Sequence, residues 1–394
     1  MNTALLILNA GSSSLKFAVY RADSAPTPHA EYRGGIEEIG RHGQFRVMQD
    51  GAPLVDQAVA PANHEAALRL LLDWLEARHP DLVLRAVGHR VVHGGADFSR
   101  PVRIDEAVLA ALERLIPLSP LHQPHNLGAI RVLARLRPQL PQIACFDTGF
   151  HHTLPPPARH FALPRDFYAR GIRRYGFHGL SYEYIAGVLP EHLGSASEGR
   201  VVVAHLGNGA SLCAMRQRRS VETSMSFTPL DGLPMGSRCG ALDPGVLLYL
   251  LREEGMSPQQ LDDLLHHRSG LLGLSGISGD VRALQASDDP HAAEALDLFA
   301  YRTSQAIASH AVALEGLDAL VFTAGIGEHA ASVRAAICRR LAWLGLELDE
   351  AANQRHGPCI SPPHSRVSVW VIPTNEEYVI ARHAWALTAG EPLS

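Results

Sequence analysis

The sequence predicts an α/β protein built from two duplicated domains that face one ligand. Three observations predict this fold class: a length of 394 residues, a strand–loop–strand pattern that occurs twice, and polar side chains that follow several apolar segments. At roughly 150 residues per domain, the chain is long enough for two domains with substantial cores. The proline-rich stretch TLPPPARHFALP, residues 153–164, is the best candidate boundary between the halves.

The first strand–loop–strand pattern is LLILNAGSSSLKFAVY, residues 5–20. Two apolar runs suited to buried strands flank a polar loop of six residues, 9–14, and Lys16 lies in the returning strand. A tight hairpin needs only about two loop residues. Backbone N–H groups, hydroxyls and one cation are what an anion such as phosphate needs. A hydrophilic loop with one exposed lysine explains the same residues, so this stretch alone leaves both interpretations open.

The second pattern is RVVVAHLGNGASLCAM, residues 200–215, with its polar loop at 208–211. It repeats the plan of the first pattern about half a chain later. One such hairpin is ambiguous, but two at this separation indicate duplicated domains around a common ligand.

Polar residues also follow apolar runs elsewhere in the chain. Arg90 lies in AVGHRVVHGG, Asp147 follows the run 143–146, and the glycine-rich GIGE at 325–328 precedes a predicted helix at 332–344. In α/β sheets, ligands collect beyond the carboxyl ends of strands. Any single strand meets solvent at such a point, but the recurrence predicts one shared cleft.

The composition excludes several classes of protein. Hydrophobic residues make up 46% and charged residues 19% of the chain, as in ordinary globular proteins. A net charge of −5 argues against nucleic acid as a partner. No apolar run approaches the ~20 residues of a membrane span, and the N-terminal run lacks the basic start of a signal peptide. The five cysteines form no CxxC pair and fit a reducing cytoplasm, where we expect this protein.

Familiar catalytic motifs are absent from the sequence. It contains no GxxxxGK[ST], no GxGxxG after a strand and no HExxH, and no GxSxG. The 22 histidines therefore reflect composition more than metal ligation. What remains are two phosphate-type hairpins, a glycine-rich turn, and arginine, histidine and acidic residues at strand ends.

The chain resembles the acetate kinases in a series of motifs that occur in the family's order: LNAGSSSLKF, GHRVVHGG, PLHQPHN, FDTGFH, RRYGFHG, HLGNGASL, TSMSFTPLDGLPMGSR, SGISGDVR, FTAGIGEH and PTNEEYVIAR. The match runs from about residue 5 to about residue 385. That family belongs to the superfamily of acetate and sugar kinases, heat-shock ATPases and actin. The resemblance implies two duplicated actin-like (ribonuclease H-like) α/β domains with an interdomain active-site cleft. It places the N-terminal domain at 1–149, completed by a C-terminal helix at 375–394, and the second domain at 150–374.

The implied reaction is a reversible transfer of phosphate from ATP to acetate, giving ADP and acetyl phosphate. Mg²⁺ is the expected cofactor, with Mn²⁺ as a substitute, and a homodimer is the expected assembly. A carboxylate acceptor has a pKa of roughly 4 to 5 and is already ionised at pH 7, so the reaction needs no general base. The site must instead bring two anions together, and arginine suits this because its fork binds carboxylate or phosphate through two hydrogen bonds.

Four residues match the family's catalytic positions. The resemblance implies that Arg90 binds the acceptor carboxylate, that Arg238 contacts the acceptor and the transferring phosphoryl group, and that His178 stabilises that group. Asp147 matches the active-site aspartate and should orient an arginine or metal-bound water rather than abstract a proton. A surface ion pair at a strand end is the alternative role for either arginine.

The remaining site positions follow from the same motifs. The acyl pocket and phosphate channel would be lined by Val92, Leu121, His122, Phe177 and Pro229, with a purely structural role for His122 left open. Nucleotide contacts would come from Lys16, His205, Leu206, Gly207, Asn208, Gly209, Asp280, Val281, Arg282, Gly325, Ile326, Gly327, Glu328 and His329. The Mg²⁺ positions match Asn9 and Glu376. Thr374 and Glu377 also have the spacing of a helix capping box.

The chain departs from the family's motifs at several places. Gln123 stands where asparagine is usual, Leu180 and Tyr182 replace a threonine and a histidine, Cys239 and Ala241 replace a serine and an acidic residue, and His329 replaces an asparagine. These departures bear on substrate range and nucleotide preference. The bulk of Val92 favours acetate over longer acids by only about 1–3 kcal/mol per methylene. A propionate or butyrate kinase, or an actin-like or chaperone-like ATPase, are the alternative functions.

Overall fold

The computed structural model describes residues 2–390, without the side chain of Asn2. The described chain divides into two compact units. Unit 1 comprises the residues up to Phe150 together with the segment from Asn375 onward, and unit 2 comprises His151–Thr374. The proline-rich stretch 153–164 lies within unit 2. The last four residues of the predicted C-terminal helix, 391–394, lie outside the described residues.

The strands are β1 (Asn2–Ala10), β2 (Leu15–Arg21), β3 (Tyr32–Glu37), β4 (Gly43–Gln49), β5 (Ala52–Val59), β6 (Leu82–Val91), β7 (Val102–Arg103), β8 (Gln142–Phe146), β9 (Arg200–Leu206), β10 (Ala210–Arg216), β11 (Arg219–Thr223), β12 (Ala319–Thr323) and β13 (Ser368–Val371). The helices are α1 (His64–Arg78), α2 (Glu106–Glu113), α3 (Gln123–Leu136), α4 (Pro156–Arg159), α5 (Arg165–Ala169), α6 (Gly179–Leu193), α7 (Pro244–Arg252), α8 (Pro258–His267), α9 (Gly270–Ser275), α10 (Val281–Gln285), α11 (Pro290–Leu314), α12 (Ala324–His329), α13 (Ala331–Arg340), α14 (Glu350–Gln354) and α15 (Glu376–Thr388).

The sheet of unit 1 has the strand order β5-β4-β3-β2-β1-β6-β8-β7 within the described residues. Strand β1 pairs antiparallel with β2 and parallel with β6, and β6 pairs parallel with β8. The apolar run of β1 is buried on both faces, as expected for a strand with a neighbour on each side and a covered sheet. Helix α1 packs an apolar stripe into the same core. The stripe consists of Ala67, Leu68, Leu71, Leu72 and Leu75.

The sheet of unit 2 repeats the central part of this topology. Its order is β11-β10-β9-β12-β13, with β9 antiparallel to β10 and parallel to β12, and β12 parallel to β13. The five strands β3-β2-β1-β6-β8 of unit 1 have the same order and directions. The predicted duplication of an α/β domain is therefore confirmed.

Both loops of the repeated hairpins are shorter than predicted. Asn9 and Ala10 pair with Lys16 and Leu15 within the ladder of β1 and β2, so the first loop contains four residues, 11–14, instead of six. In the second hairpin the loop is Gly207–Gly209, because Ala210 and the residue after it already pair with β9. Strand pairing thus continues into polar residues such as Asn9 and Ser211, so their side chains have fixed positions in the sheet.

Two local predictions near helix ends are wrong. The N-cap of α15 is Asn375, whose side chain accepts a hydrogen bond from the N–H of Tyr378, so the proposed capping box of Thr374 and Glu377 does not form. The predicted helix 332–344 is split into α13 and a separate 3₁₀ helix, Ala342–Leu344. The glycine-rich segment 325–328 lies inside the short helix α12 and is followed by α13, so a helix does come after it as predicted.

Helix α15 belongs to unit 1 because it packs directly on β6. A Cβ atom built on Gly88 would lie 2.4 Å from Cγ2 of Ile380, so glycine is required for this close approach. The packing brings the first turn of α15, with Glu376, to the edge of the sheet where β1 and β6 end. Within residues 2–390, no helix combines the length and the apolar character needed to cross a bilayer.

Candidate active site

The polar centre of unit 1 is an ion pair between Arg90 and Asp147. The Nε–H of Arg90 donates to Oδ1 of Asp147 at 3.1 Å, and its Nη2–H donates to Oδ2 at 2.5 Å. Nη1 of Arg90 lies 3.4 Å from Oδ1 of Asn9, and Nε lies 3.8 Å from Oε2 of Glu376. Asp147 is 1% exposed. The guanidinium is therefore held in one orientation by two hydrogen bonds to a buried carboxylate.

Strand register explains why these residues meet. Asn9, Arg90 and Asp147 come at or just after the carboxyl ends of three adjacent parallel strands, β1, β6 and β8. The N–H of Asp147 continues the ladder by donating to the carbonyl of Val91. This edge of the sheet is where ligands bind in α/β folds, and the sequence correctly predicted that these strand ends would converge.

The electrostatics of this cluster follow from burial. Burial lowers the pKa of Arg90, but the carboxylates of Asp147 and Glu376 raise it more strongly, so the guanidinium stays charged. Burial raises the pKa of Asp147 above its ordinary value, and the charge and hydrogen bonds of Arg90 act against this shift. Burial raises the pKa of Glu376 to about 7, with Arg90 acting against the shift and Asp147 adding to it.

We expect Glu376→Gln to remove a pH-dependent loss of stability. In wild type the Glu376 pKa rises from an ordinary 4.5 to about 7 on folding. The folded protein therefore binds this proton more tightly than the unfolded chain, and the resulting stability is complete below pH 4.5 and is lost as the pH rises through 7. In buffer with EDTA, urea unfolding at pH 6 and pH 8 should show wild type losing about 1–3 kcal/mol relative to Glu376→Gln. Equal pH slopes for the two proteins would contradict this assignment.

Asn9, Lys16, Arg90 and Glu376 line one small cavity in unit 1. Lys16 lies opposite Asn9 in the hairpin ladder, so its cation faces the same polar group. The amide oxygen of Asn9 and the carboxylate of Glu376 are oxygen donors of the type that Mg²⁺ binds. The residues present fit a divalent cation.

Asn126 is a supporting residue that sequence reasoning missed. Its Nδ2 donates to the carbonyl of Ala10 at 2.8 Å, and its Oδ1 accepts from the N–H of Val92 at 3.0 Å. It thus ties the end of β1 to the residue that follows β6. The PLHQPHN motif contains this asparagine, but nothing in its spacing distinguishes it from a surface residue.

The residues predicted to bind the acceptor in unit 1 lie in the segments that directly follow β6 and directly precede α3. Val92 is buried, whereas Leu121 and His122 are half-buried, and His122 is the N-cap residue of α3. Gln123, one of the departures, is fully buried and donates to the carbonyl of His93 at 3.1 Å. Its amide nitrogen thus ties the start of α3 to the segment that follows β6.

In unit 2, two predicted histidines stack on each other. The ring centroids of His178 and His205 are 4.1 Å apart, with 20° between the planes. His205 is the next-to-last residue of β9, close to the glycine loop, and His178 is the N-cap of α6 with a left-handed φ of 57°. Such a backbone conformation is costly for a residue other than glycine and is concentrated at functional sites.

The glycine loop of unit 2 lies against the catalytic candidates. A Cβ atom on Gly209 would lie 3.3 Å from Nε2 of His178 and 3.4 Å from Nη2 of Arg238. Arg238 also donates from Nη1 to the carbonyl of Pro229 at 2.8 Å, which joins two predicted site residues. The structure therefore brings His178, Arg238 and the loop Gly207–Gly209 together.

Other predicted nucleotide positions lie around this loop. Leu206 precedes it in β9, and the carbonyl of Gly279 and Oδ1 of Asn208 both lie close to Gly236. Asp280 follows directly and caps α10, where its side chain accepts from the N–H and the guanidinium of Arg282. Arg282 is largely exposed, and Val281 is buried.

The segment Gly325–His329 forms most of α12, which starts directly after β12. Its last turn is held by Arg334, a fully buried residue that donates to the carbonyls of Gly327 and Glu328 at 2.8 and 3.0 Å. Oε1 of Glu328 accepts from the N–H of Thr374, and His329 is exposed. Sequence reasoning missed Arg334 because an arginine in a helix usually indicates an exposed surface.

Two departures lie away from this arrangement. Cys239 and Ala241 line a cavity of about 950 Å³ in unit 2 that also contains His310 and Arg302. None of the predicted catalytic, substrate, nucleotide or metal residues lines it. Leu180 is buried within α6, so it contributes to packing.

Comparisons with known proteins identify the family of this duplicated α/β fold. The profile of the acetokinase family matches residues 4–382, and the chain belongs to the acetokinase family. It is 56% identical to an acetate kinase of Rhodopseudomonas palustris over 396 aligned residues, which cover 99% of this chain and 100% of that protein.

Two solved structures are also similar over nearly their whole length. The crystal structure of Porphyromonas gingivalis acetate kinase superimposes with a TM-score of 0.88 at 34% identity, covering 98% of this chain and 99% of that one. A propionate kinase from Francisella tularensis gives a TM-score of 0.90 at 36% identity, covering 97% and 98%. These matches confirm the predicted fold class.

Proposed function

We propose that this protein transfers the γ-phosphoryl group of ATP to acetate, reversibly, giving acetyl phosphate and ADP. The observation that carries the proposal is the guanidinium of Arg90, fixed by Asp147 at the carboxyl edge of the sheet of unit 1. A fixed guanidinium binds a carboxylate through two parallel hydrogen bonds. Asp147 is itself occupied by that guanidinium, as expected where the acceptor is already ionised and no base is needed.

The proposal assigns the acceptor to groups of unit 1 and the nucleotide to groups of unit 2. Arg90 binds the acetate carboxylate, with Val92 against the methyl group. Arg238 and His178 bind the equatorial oxygens of the transferring phosphoryl group, where charge spreads in a loose transition state. The backbone of Gly207–Gly209 and of Gly325–Gly327 approaches the phosphates and ribose of ATP. A carboxylate oxygen then attacks phosphorus in line with the departing ADP.

We propose Asn9 and Glu376 as the protein groups that hold Mg²⁺, or Mn²⁺ in its place. The bound cation would supply neutralisation of the phosphate charges. Burial raises the pKa of Glu376 to about 7 in the absence of a cation, and a bound cation would favour the ionised carboxylate. Lys16, across the hairpin from Asn9, adds a second positive charge for the phosphates.

A propionate kinase activity is the second candidate, because the Francisella propionate kinase is as similar in structure as the acetate kinase. Each extra methylene in an apolar pocket changes the binding free energy by only about 1–3 kcal/mol. The same fold can therefore accept propionate, or butyrate, through small changes around Val92.

The test is acyl phosphate formation from Mg-ATP with acetate, propionate or butyrate, trapped as the hydroxamate by hydroxylamine. We expect the highest kcat/KM with acetate. A preference for propionate or butyrate would support the second candidate. Loss of ATP without hydroxamate from any acid would overturn the kinase proposal and indicate an ATPase.

We further propose that the protein is a homodimer. Helix α7 has no buried residue in the single chain, although it carries Val246, Leu248 and Tyr249, which are 40, 47 and 55% exposed. Large apolar side chains clustered on one exposed helix are typical of a protein–protein interface. A second copy of this chain is the occupant that the family resemblance favours.

We expect Leu248→Glu to convert the dimer into a monomer. The introduced carboxylate would be buried without a partner in the interface, at a cost of several kcal/mol. Light scattering after size exclusion should give twice the chain mass for wild type and the single chain mass for the variant. Val312→Glu is the matched control, because Val312 is 78% exposed on α11. A wild-type monomer, or a dimeric Leu248→Glu, would contradict this interface.

We propose the cytoplasm as the site of action. All five cysteines are free thiols, which fits a reducing compartment. The substrates are small metabolites, and the net charge of −5 gives no reason to invoke nucleic acid or membrane partners.

A further inference from the structure

The catalytic candidate His178 is connected to a departure from the family motif. Oγ of Ser211 lies 2.9 Å from Nδ1 of His178 and 2.5 Å from the phenol oxygen of Tyr182. Ser211 and Tyr182 are both 0% exposed. Three groups thus form a buried chain of hydrogen bonds: phenol, hydroxyl and imidazole.

The second histidine of the stack has a similar connection. Nδ1 of His205 lies 2.8 Å from Oγ of Ser181, which is 2.9 Å from Oγ1 of Thr374. Both stacked rings therefore contact a serine hydroxyl through Nδ1. In each case Nε2 is on the side of the glycine loop: it is 3.3 Å from a Cβ built on Gly209 for His178 and 3.8 Å from one built on Gly207 for His205.

We propose that Tyr182 and Ser211 are positioning residues that hold His178 in the Nε2–H tautomer, so that Nε2 donates a hydrogen bond to the transferring phosphoryl group. This inference rests on the proposed function, because it assigns a direction to the hydrogen bond that His178 makes in that reaction. It gives Tyr182, which replaces the family's usual residue, a role in the site.

The direction of the relay follows from its hydrogen count. A phenol is a good donor and a weaker acceptor, and a serine hydroxyl has only one hydrogen. In the proposed direction, Tyr182 donates to Oγ of Ser211, and Ser211 uses its hydrogen to donate to Nδ1 of His178. An imidazole that accepts at Nδ1 carries its proton on Nε2.

This tautomer suits the proposed chemistry. The Nη2 group of Arg238 and Nε2 of His178 both lie within 3.4 Å of the same point beside Gly209, so two donors converge there. Donors that converge on oxygens where charge develops stabilise a transition state. The opposite tautomer would direct a lone pair at an anionic oxygen and oppose binding.

Stacking limits the charge of the histidine pair. Two imidazolium rings at 4.1 Å would repel each other, so the pair favours at most one charged ring. A neutral His178 can donate at Nε2 only if that nitrogen carries the proton. The relay therefore supplies what a neutral ring needs to act as a donor.

The test combines nitrogen chemical shifts with kinetics in three full-length proteins: wild type, Tyr182→Phe and Ser211→Ala. Selective ¹⁵N-histidine labelling, with His178→Gln used to assign the signals, distinguishes a protonated from an unprotonated ring nitrogen. We expect wild-type His178 to have a protonated Nε2 and an unprotonated Nδ1. Both variants should shift towards the other tautomer and lose about tenfold in kcat, with the KM for ATP changed less than twofold.

Tyr32→Phe is the matched control. Tyr32 is a buried tyrosine whose hydroxyl lies 2.8 Å from Nε2 of His79, in unit 1. It loses a phenol oxygen that is likewise hydrogen-bonded to another side chain, but away from His178, so it reports the cost in thermal stability alone. We expect no change in its kcat or in the His178 shifts.

The outcomes separate the relay from the proposed function. A protonated Nδ1 in wild type, or variants that lose kcat without a change of tautomer, would overturn the relay. Failure to form hydroxamate from any acid would overturn the proposed function, whereas the nitrogen shifts decide the relay without any substrate.

Discussion

Asp147→Asn is expected to lower kcat by about 10²–10³-fold, the effect of removing a preorganised electrostatic group, while both limbs of the pH–rate profile remain. Asp147 holds Arg90 through two hydrogen bonds, and asparagine can accept only one of them. The guanidinium then loses its fixed orientation and its counter-charge. Because the acceptor is already ionised, Asp147 is not the base whose titration shapes the profile. Steady-state kinetics from pH 5.5 to 9 measure this directly.

The matched control is Asp318→Asn. Asp318 accepts two hydrogen bonds from the guanidinium of Arg200, at 3.0 and 2.5 Å, and a third from its backbone N–H at 2.8 Å. None of the predicted site residues belongs to that pair. Its variant should keep kcat within about twofold of wild type. If Asp147→Asn instead abolished an acid-limb pKa that wild type shows, Asp147 would be a general base and the assignment would be wrong.

Arg90→Lys is the second change with a large expected effect, a loss of about 10²–10³-fold in kcat/KM for acetate. Lysine keeps the positive charge beside the buried Asp147, so folding is preserved better than with alanine, which would leave that carboxylate unpaired. It cannot hold Asp147 and a substrate carboxylate at once in a planar fork. Initial rates at varied acetate and fixed ATP measure the loss.

Arg200→Lys provides the control for the charge-conserving exchange, and we expect it to leave kcat/KM nearly unchanged. The double variant Arg90→Lys/Asp147→Asn adds a further check. When two residues act as one unit, the losses of activity caused by their substitutions do not add. The double variant should therefore be little less active than either single variant. Full additivity of the two losses would show that Arg90 and Asp147 act independently.

The parts of unit 1 that were predictable share one physical cause. Apolar runs that end in a polar residue predicted β1, β6 and β8, and parallel pairing then brings Asn9, Arg90 and Asp147 to one edge. The repeated hairpin predicted the duplicated topology for the same reason, since a buried strand requires a continuous apolar run whatever its neighbours are.

The supporting residues could not be predicted in this way. Ser181, Ser211 and Tyr182 are polar residues in or beside apolar segments, and their hydrogen bonds join positions 24 or more residues apart. The sequence pattern predicts an exposed helix residue at Arg334, but the structure buries its side chain fully against the carbonyls of α12. Hydrogen bonds of this kind depend on tertiary packing, which local patterns do not encode.

The N-cap of α15 likewise could not be predicted from the local sequence. Thr374 and Asn375 are both good N-cap residues, and the spacing to Glu377 favoured the first. Thr374 is instead engaged through its N–H by Glu328 and through its hydroxyl by Ser181. Asn375 is therefore left to cap the helix, a choice made by tertiary contacts.

The central claim is that a carboxylate oxygen of acetate attacks the γ-phosphorus of ATP. The most direct measurement is mass spectrometry of the products formed from ATP and acetate labelled with ¹⁸O in both carboxylate oxygens. We expect ADP and acetyl phosphate that retains both labels, one in the carbonyl and one in the bridge to phosphorus. Formation of ADP and unlabelled inorganic phosphate alone, or of AMP and pyrophosphate, would contradict it.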